Sequence, residues 1–207
     1  MMSNPDQDFW RGRRVLVTGH TGFKGAWLSA WLEVMGAEVH GFALAPEPGA
    51  NLFRDLGAWK YLTSMIGDIR DRDAVEIACA AADPDIVIHL AAQSLVRRAH
   101  RDPLGTYASN VQGTGNLLEK LGACVGLRAI LVITSDKCYS NDNSGRPFVE
   151  SDPLGGTEPY AASKAAQETL SAGWRKGILE NRDRAPRLAT ARAGNVIGGG
   201  DWSKDRI

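Results

Sequence analysis

Two short polar motifs in the second half of the chain carry side chains that could perform acid–base chemistry. Ser135, Asp136 and Lys137 follow an apolar run and place a hydroxyl, a carboxyl and an amine side by side. Further along, Tyr160 precedes Lys164 by four residues, a spacing that puts both side chains on one face of a helix. The lysine charge can lower the pKa of the phenol from its reference value of about 10. A phenolate of this kind can take a proton from a hydroxyl group while hydride leaves the same carbon.

A glycine-rich turn near the start of the chain predicts a dinucleotide site. It lies between an apolar strand and an apolar-rich stretch that is dense enough for a buried helix. Glycines let the backbone turn tightly and approach a pyrophosphate, and the helix N-terminus adds partial positive charge. His20 and Lys24 could add hydrogen bonds or charge to the phosphates. The residues predicted to bind the cofactor here are Gly19, His20, Gly22, Phe23, Lys24 and Gly25.

The residues after the second and third strands bear on the identity of the dinucleotide. Glu47 is a candidate for the ribose diol, and no arginine follows the second strand before Arg54, so the sequence favours NAD over NADP. Asp68 is placed to meet the adenine amino group or, alternatively, to cap a helix that begins near Arg70. Ile69 is predicted to lie beside the same cofactor.

The segment after the fourth predicted strand combines small, amide and basic side chains. Ala91 and Ala92 are small enough for a cofactor to pass close to the backbone, whereas Gln93 is predicted to bind substrate. Arg97 belongs to a basic cluster that could meet the phosphates of a sugar nucleotide or could be a solvated patch. Asn110 could orient the catalytic lysine through water or could be an ordinary helix-surface residue.

Composition bounds the class of protein. The chain has 207 residues, with 24 basic and 24 acidic side chains and three isolated cysteines. Balanced, interspersed charge argues against a nucleic-acid partner, and the cysteine spacing fits neither a metal site nor a disulfide framework. We expect no bound metal, no membrane partner and a cytoplasmic location, because no stretch reads as a signal peptide or a membrane span.

Strand-like apolar runs alternate with helical stretches along the whole chain. This alternation predicts an α/β fold with a Rossmann-like, doubly wound parallel sheet. His89 is predicted to pack within a strand. The predicted strands are 14–18, 38–44, 62–66, 86–91, 129–134 and 187–192. The longer predicted helices are 21–36, 72–82, 106–124 and 158–180.

Taken together, these motifs resemble the extended short-chain dehydrogenase/reductase family, which contains NAD-dependent epimerases and dehydratases. The resemblance covers essentially the whole chain after about residue 10 and is sharpest for the CDP-glucose branch of the sugar-nucleotide 4,6-dehydratases. Lys137 stands where the related dTDP-glucose dehydratases usually have glutamate. The histidine and lysine of the glycine loop and the run Gly-Gly-Gly-Asp-Trp at 198–202 point to the same branch.

The resemblance implies a role for each polar residue. Tyr160 takes the proton of the sugar 4-hydroxyl, and Ser135 hydrogen-bonds the 4-oxygen. Asp136 is the acid that assists loss of the 6-hydroxyl, and Lys137 is either the base or an electrostatic stabiliser of the enolate. The product would be a 4-keto-6-deoxy sugar nucleotide used in deoxysugar biosynthesis, such as that of lipopolysaccharide.

The remaining implied roles concern binding. Lys164 holds the nicotinamide ribose and tunes the tyrosine, and Asn195 faces the substrate phosphates. Because family members are longer, the resemblance implies that residues 1–207 are an incomplete NAD-binding domain whose C-terminal substrate-binding portion is largely absent. Oligomerisation with like chains stays open. The alternatives are another sugar-nucleotide epimerase or dehydratase, a non-catalytic NAD-binding fragment, and a structural module.

Overall fold

The computed structural model describes residues 6–57, 62–141 and 143–202. Its centre is a six-stranded parallel sheet with the strand order β3-β2-β1-β4-β5-β6. This is the doubly wound order of dinucleotide-binding folds, so the predicted fold class is confirmed. The strands are β1 Arg14–Thr18, β2 Glu38–Ala43, β3 Thr63–Ile66, β4 Ile86–His89, β5 Ala129–Ile133 and β6 Arg187–Ala191.

Helices cover both faces of the sheet because the central strands bury side chains on both sides. On β1, Val15 and Val17 enter the cluster that packs under the first long helix, whereas Leu16 enters the cluster on the opposite face. The α-helices are α1 Gln7–Trp10, α2 Phe23–Val34, α3 Leu52–Asp55, α4 Arg72–Ala82, α5 Val96–Arg101, α6 Pro103–Tyr107, α7 Gly113–Lys120 and α8 Pro159–Trp174.

Two of the predicted long helices change their winding. The stretch predicted as 106–124 contains the end of α6, a π-helical segment Ala108–Gln112, then α7 and a 3-10 turn. The stretch predicted as 158–180 continues from α8 into a second π-helical segment, Arg175–Leu179. Hydrophobic periodicity does not distinguish these windings, and π segments often mark functional positions. The first of them carries Asn110, which the site uses.

Four of the predicted strands end one or two residues early at their carboxyl ends. The fourth was predicted to reach residue 91, but β4 ends at His89 and Ala91 turns to donate its N–H to Thr18 Oγ1 at 3.2 Å. All six strands run in the same direction, so their carboxyl ends lie at one edge of the sheet. The order reverses between β1 and β4, which is where ligands bind in folds of this kind.

Candidate active site

The glycine turn between β1 and α2 has the close backbone approaches that a pyrophosphate site requires. Gly19 has φ +79°, a conformation that glycine adopts readily, and a Cβ on Gly25 would lie 2.1 Å from the Gly19 carbonyl oxygen. Helix α2 begins at Phe23 behind Gly22, and no side chain caps it. Its first N–H groups therefore lack helical acceptors, and these residues fit a bound dinucleotide phosphate.

The His20 ring has a different place from the one predicted. It is fully buried, its Nε2 lies 2.7 Å from Ser64 Oγ, and it packs edge-on against Phe53. Space for the ring comes from Gly41 of β2, where a Cβ would fall 2.4 Å from the imidazole. Burial lowers the pKa of His20 to about 4. The expectation that this side chain bonds to the phosphates or adds charge to them is therefore wrong, because the ring is neutral and packs in the interior. Only the backbone of His20 stays a predicted cofactor ligand.

The turn after β3 settles one of the alternatives for Asp68. Helix α4 begins at Arg72, and its cap is Asp71, whose carboxylate accepts from the N–H groups of residues 73 and 74. Asp68 therefore does not cap the helix. Its carboxylate is held by Arg70, and the Arg70 hydrogen bond lowers the pKa of Asp68. The predicted contact with adenine stays open, whereas the Ile69 side chain is buried in the core, so any cofactor contact there is through the backbone.

The loop after β2 bears on cofactor choice. Arg54 donates to the carbonyl oxygens of Pro46, Glu47 and Gly49, so its guanidinium is committed to that loop. Glu47 is exposed on the same loop. The absence of an arginine immediately after β2 keeps the prediction of NAD over NADP.

The segment after β4 is clamped by a buried asparagine. Asn110 Oδ1 accepts from Gln93 N at 2.8 Å, and Asn110 Nδ2 donates to Gln93 O at 3.0 Å and to Ser163 Oγ at 2.9 Å. The expectation of a helix-surface residue is wrong, because Asn110 is buried and its amide contacts protein groups. Its orienting of the lysine through water stays a prediction. It ties the end of β4 to helix α8, which carries the predicted catalytic pair.

Gln93 and Arg97, both predicted to bind substrate, have different surroundings. The Gln93 amide donates to Leu95 O and Thr106 Oγ1 and accepts from Leu95 N, so its side chain shapes its own loop, and its contact with substrate stays a prediction. Arg97 is exposed on α5, and its contact with substrate stays a prediction. Ala91 and Ala92 lie at the carboxyl end of β4, beside the glycine turn, since Gly19 approaches Ala91 closely.

Tyr160 and Lys164 lie one turn apart near the start of α8, and both are buried. The helix begins behind Glu158, whose carboxylate accepts from the N–H groups of Tyr160 at 2.8 Å and Ala161 at 2.7 Å. Pro159 occupies the first helical position, where its lack of an N–H costs nothing. A carboxylate at the positive end of the helix and a proline next to it fix where the helix begins, and so where the tyrosine lies.

The Lys164 amine reaches the carboxyl end of β5. Its Nζ donates to Ile133 O at 3.3 Å and to Gln167 Oε1 at 2.8 Å. Burial, and secondarily the charge of Lys24, lowers the pKa of Lys164 to about 7, while Glu168 and Cys138 oppose the shift.

The second polar motif follows directly on β5. Ser135 is buried and donates its hydroxyl to Asp136 Oδ1 at 3.0 Å, while it accepts from Lys137 N at 3.2 Å. Asp136 and Lys137 are exposed, and Asp136 N donates to Ala193 O at 3.1 Å. The bond from Lys164 to Ile133 brings the two predicted catalytic motifs together at the same edge of the sheet. The catalytic roles of these five residues stay predictions.

A buried ion pair that the sequence analysis missed joins α8 to the segment after β6. Glu168 accepts from Thr134 Oγ1, from Thr190 Oγ1 at 2.9 Å and from Arg192 Nη2 at 2.9 Å. Burial raises the pKa of Glu168, but these hydrogen bonds outweigh it and leave the pKa below its usual value. A glutamate four residues after Lys164, on the same buried helix face, was the available signal. Asn195, predicted to face substrate phosphates, is exposed just beyond this pair.

Two further features bear on the kinds of site that the described ranges hold. Within residues 6–57, 62–141 and 143–202, no helix is both long and apolar enough to span a membrane. Across the same ranges, no cluster of histidine, cysteine and carboxylate side chains has the size to hold a metal ion.

The strand order and the glycine turn define a Rossmann-type dinucleotide-binding fold, and the predicted acid–base pair Tyr160/Lys164 reaches the carboxyl end of β5 through Lys164. The chain belongs to the NAD dependent epimerase/dehydratase family, whose model matches residues 15–201. NAD is thus the cofactor of the family, as the glycine turn predicts.

Three comparisons describe the similarity more closely. The chain is 45% identical over 205 residues to CDP-glucose 4,6-dehydratase of Salmonella typhimurium, covering 98% of this chain and 57% of that protein. It is 32% identical over 181 residues to a dTDP-glucose 4,6-dehydratase, assigned as probable, of Sinorhizobium fredii, covering 79% of this chain and 49% of that protein. The structure of UDP-glucose 4-epimerase of Thermus thermophilus in complex with NAD superposes with a TM-score of 0.74 at 30% identity, covering 89% of this chain and 56% of that chain. The chain therefore spans about half the length of these relatives.

Proposed function

We propose that the protein acts in the NAD-dependent dehydration of CDP-glucose to CDP-4-keto-6-deoxyglucose. The observation that carries the proposal is the meeting of two acid–base motifs at one sheet edge: Lys164 of the Tyr160 pair bonds to Ile133, and Ser135-Asp136-Lys137 begins two residues later. An epimerase needs the Tyr160/Lys164 pair but not the Asp136/Lys137 pair. A dehydratase also needs groups that remove water, and Asp136 and Lys137 are exposed where a sugar could reach them.

When bound, NAD would supply the acceptor for the carbon 4 hydride and the donor of the hydride that later adds to carbon 6, with a proton returning to carbon 5. Tyr160 accepts the proton of the 4-hydroxyl, and Ser135 donates a hydrogen bond to the 4-oxygen. The 4-keto group acidifies the proton on carbon 5, and Asp136 protonates the departing 6-hydroxyl as water is lost across carbons 5 and 6. Lys137 either takes the carbon 5 proton or stabilises the enolate. Lys164 holds the nicotinamide ribose beside Tyr160.

CDP-glucose is the favoured substrate on two grounds. Lys137 occupies the place where dTDP-glucose dehydratases usually carry glutamate, and the relative with 45% identity is named for CDP-glucose, against 32% for the dTDP-glucose relative. A cytoplasmic site of action fits such a substrate. The exposed Arg97 and Asn195 are proposed to contact the substrate phosphates.

The test incubates the full-length gene product with NAD and, separately, CDP-glucose, dTDP-glucose, UDP-glucose and GDP-mannose, followed by mass spectrometry. Loss of one water from CDP-glucose alone, absent in a Tyr160→Phe control, is the expected result. Dehydration of a different nucleotide sugar would overturn the choice of CDP. An isomer of unchanged mass would identify an epimerase, and NAD binding without any product would identify a non-catalytic domain.

A further inference from the structure

A line of buried polar side chains leads away from Lys164 into the protein. Gln167, Thr114, His89 and Thr18 belong to four different elements, and each is fully buried. None of them has a part in the chemistry proposed above. Burying a polar group without a hydrogen-bond partner costs free energy, so the hydrogen bonds of these four residues must be accounted for.

The proton positions along this row follow from the hydroxyl of Thr114. That hydroxyl has one hydrogen, which it donates to Asn110 O at 2.7 Å. It must therefore accept from its other two neighbours, Gln167 Nε2 at 2.7 Å and His89 Nε2 at 2.9 Å. His89 thus carries its proton on Nε2.

The other side of the imidazole completes the assignment. His89 Nδ1 lies 2.6 Å from Thr18 Oγ1 and, having no proton, accepts from that hydroxyl. The Thr18 oxygen in turn accepts from Ala91 N at 3.2 Å. Burial, and secondarily the charge of Lys164, lowers the pKa of His89 to about 3, so the ring is neutral and its tautomer is single over the working pH range.

A single tautomer of His89 leaves one orientation for the Gln167 amide. If the amide were reversed, its oxygen would face a Thr114 hydroxyl whose only hydrogen is engaged, and its NH₂ would face the Lys164 ammonium. In the observed orientation Gln167 Oε1 accepts from Lys164 Nζ at 2.8 Å. The position of this acceptor is thus fixed from β1, β4 and α7 together.

The ammonium of Lys164 has three N–H donors, and two point to Ile133 O and Gln167 Oε1. The third is left for a ligand hydroxyl. The charged groups that act on this amine are Lys24 from α2, Glu168 from α8 and Cys138 after β5. The charge of Lys164 acts in turn on His89 of β4, and Tyr160 lies one turn before Lys164 on α8. Of the two protein acceptors, Gln167 alone is a side chain.

We propose that Gln167 is a positioning residue that holds the Lys164 amine in its protonated form and aims its third N–H at the cofactor ribose, with Thr114 and His89 locking the amide. The inference rests on the proposed function only in assigning Lys164 to the ribose. The acceptor geometry exists in the NAD-free protein, so the proposed effect on the charge of Lys164 is measurable without NAD.

The decisive measurement is the titration of Lys164 without NAD, by NMR of protein isotope-labelled at the lysine ε-carbons and assigned with Lys164→Met. Gln167→Leu removes the acceptor and should lower the pKa of Lys164, whereas Gln167→Glu keeps the acceptor, adds charge and should raise it by about one unit or more. Gln112→Leu, an exposed glutamine on the neighbouring π-helical segment, is the matched control and should leave the titration unchanged.

A structural role alone would not move the titration in opposite directions. If Gln167→Leu does not fold, Thr114→Val serves instead, because it unlocks the amide and should broaden or lower the titration while the Gln167→Glu shift stays upward. Folded Gln167 variants that titrate like the Gln112 control would overturn the proposal. In the full-length gene product, the alkaline limb of the pH profile of product formation should move with the measured pKa. If the two Gln167 variants shift the pKa of Lys164 in opposite directions but no product forms, the positioning role of Gln167 stands and only the proposed function is refuted.

Discussion

The substitutions Gly25→Ala and Gly22→Ala should differ sharply in their effect on stability, although the two glycines lie three residues apart in the same turn. A Cβ on Gly25 would fall 2.1 Å from Gly19 O, 2.7 Å from Gly19 C and 2.8 Å from His20 Cα, all backbone atoms. A Cβ on Gly22 would meet only Gly19 O, at 3.4 Å, and the φ of Gly22 is −81°, which alanine adopts without strain. The turn must open for one substitution and not for the other.

The size of the difference follows from the kind of contact. Overpacking of a tight site typically costs about 1–3 kcal/mol, and in a chain of this length each kcal/mol lowers Tm by about 2–4 °C. Gly25→Ala should therefore lower Tm by about 2–12 °C. For Gly22→Ala, the entropy gain of about 0.4–1 kcal/mol is offset by a poorer N-cap, which leaves Tm nearly unchanged.

Thermal unfolding followed by circular dichroism, without NAD, measures the difference, and calorimetric titration with NAD and NADP gives the consequence for binding. Gly25→Ala should weaken NAD binding because the opened turn no longer presents its N–H groups together. Equal Tm values for the two variants would refute the steric account of the turn. Tighter binding of NADP than of NAD by the unmodified protein would overturn the preference expected from the segment after β2.

Three further outcomes are expected. Tyr160→Phe should reduce product formation by about a hundred- to ten-thousandfold with NAD affinity retained, measured by mass spectrometry and calorimetry; undiminished product would remove the tyrosine from the mechanism. Asp136→Asn and Lys137→Ala should accumulate a 4-keto sugar that keeps its 6-hydroxyl, detected by rapid quench, whereas failure before any 4-keto sugar forms would contradict a role in elimination. Burial lowers the pKa of His20 to about 4 and that of His89 to about 3, so the unfolded chain binds more protons than the folded chain between pH 6.5 and 4. The free energy of unfolding should therefore fall as the pH decreases through this range, by about 1.4 kcal/mol per pH unit for each ring. Urea unfolding at successive pH values checks this, and a flat profile below pH 6.5 would contradict it.

The local patterns of the sequence were sufficient for the sheet and for the turn that begins α2. Apolar runs predicted all six strands, because buried parallel strands are apolar on both faces, and no end was misplaced by more than two residues. The burial of the His20 ring could not be predicted from neighbouring residues in the sequence, since the space for the ring comes from Gly41 on another strand. Asn110 likewise depends on a π-helical winding that leaves no mark in hydrophobic periodicity.

The polar stripe on α8 acquires its partners only in the tertiary structure, and it explains why the predicted catalytic pair has one position. Helical spacing places six polar residues on one buried face of this helix. They are Tyr160, Ser163, Lys164, Gln167, Glu168 and Ser171. Ser163 bonds to the segment after β4 through Asn110, and Gln167 bonds to α7. Glu168 bonds to Thr134, directly after β5, and to Thr190 of β6.

Rotation of α8 by a single residue would separate several of these groups from their partners at once. Each buried polar group left unpaired costs about 1–3 kcal/mol, so rotated positions of α8 have a much higher free energy than the observed packing. An apolar stripe would tolerate such a rotation, because hydrophobic contacts are not directional. The buried polar face thus fixes the rotation of α8, and with it the directions in which Tyr160 and Lys164 present their proton-carrying atoms.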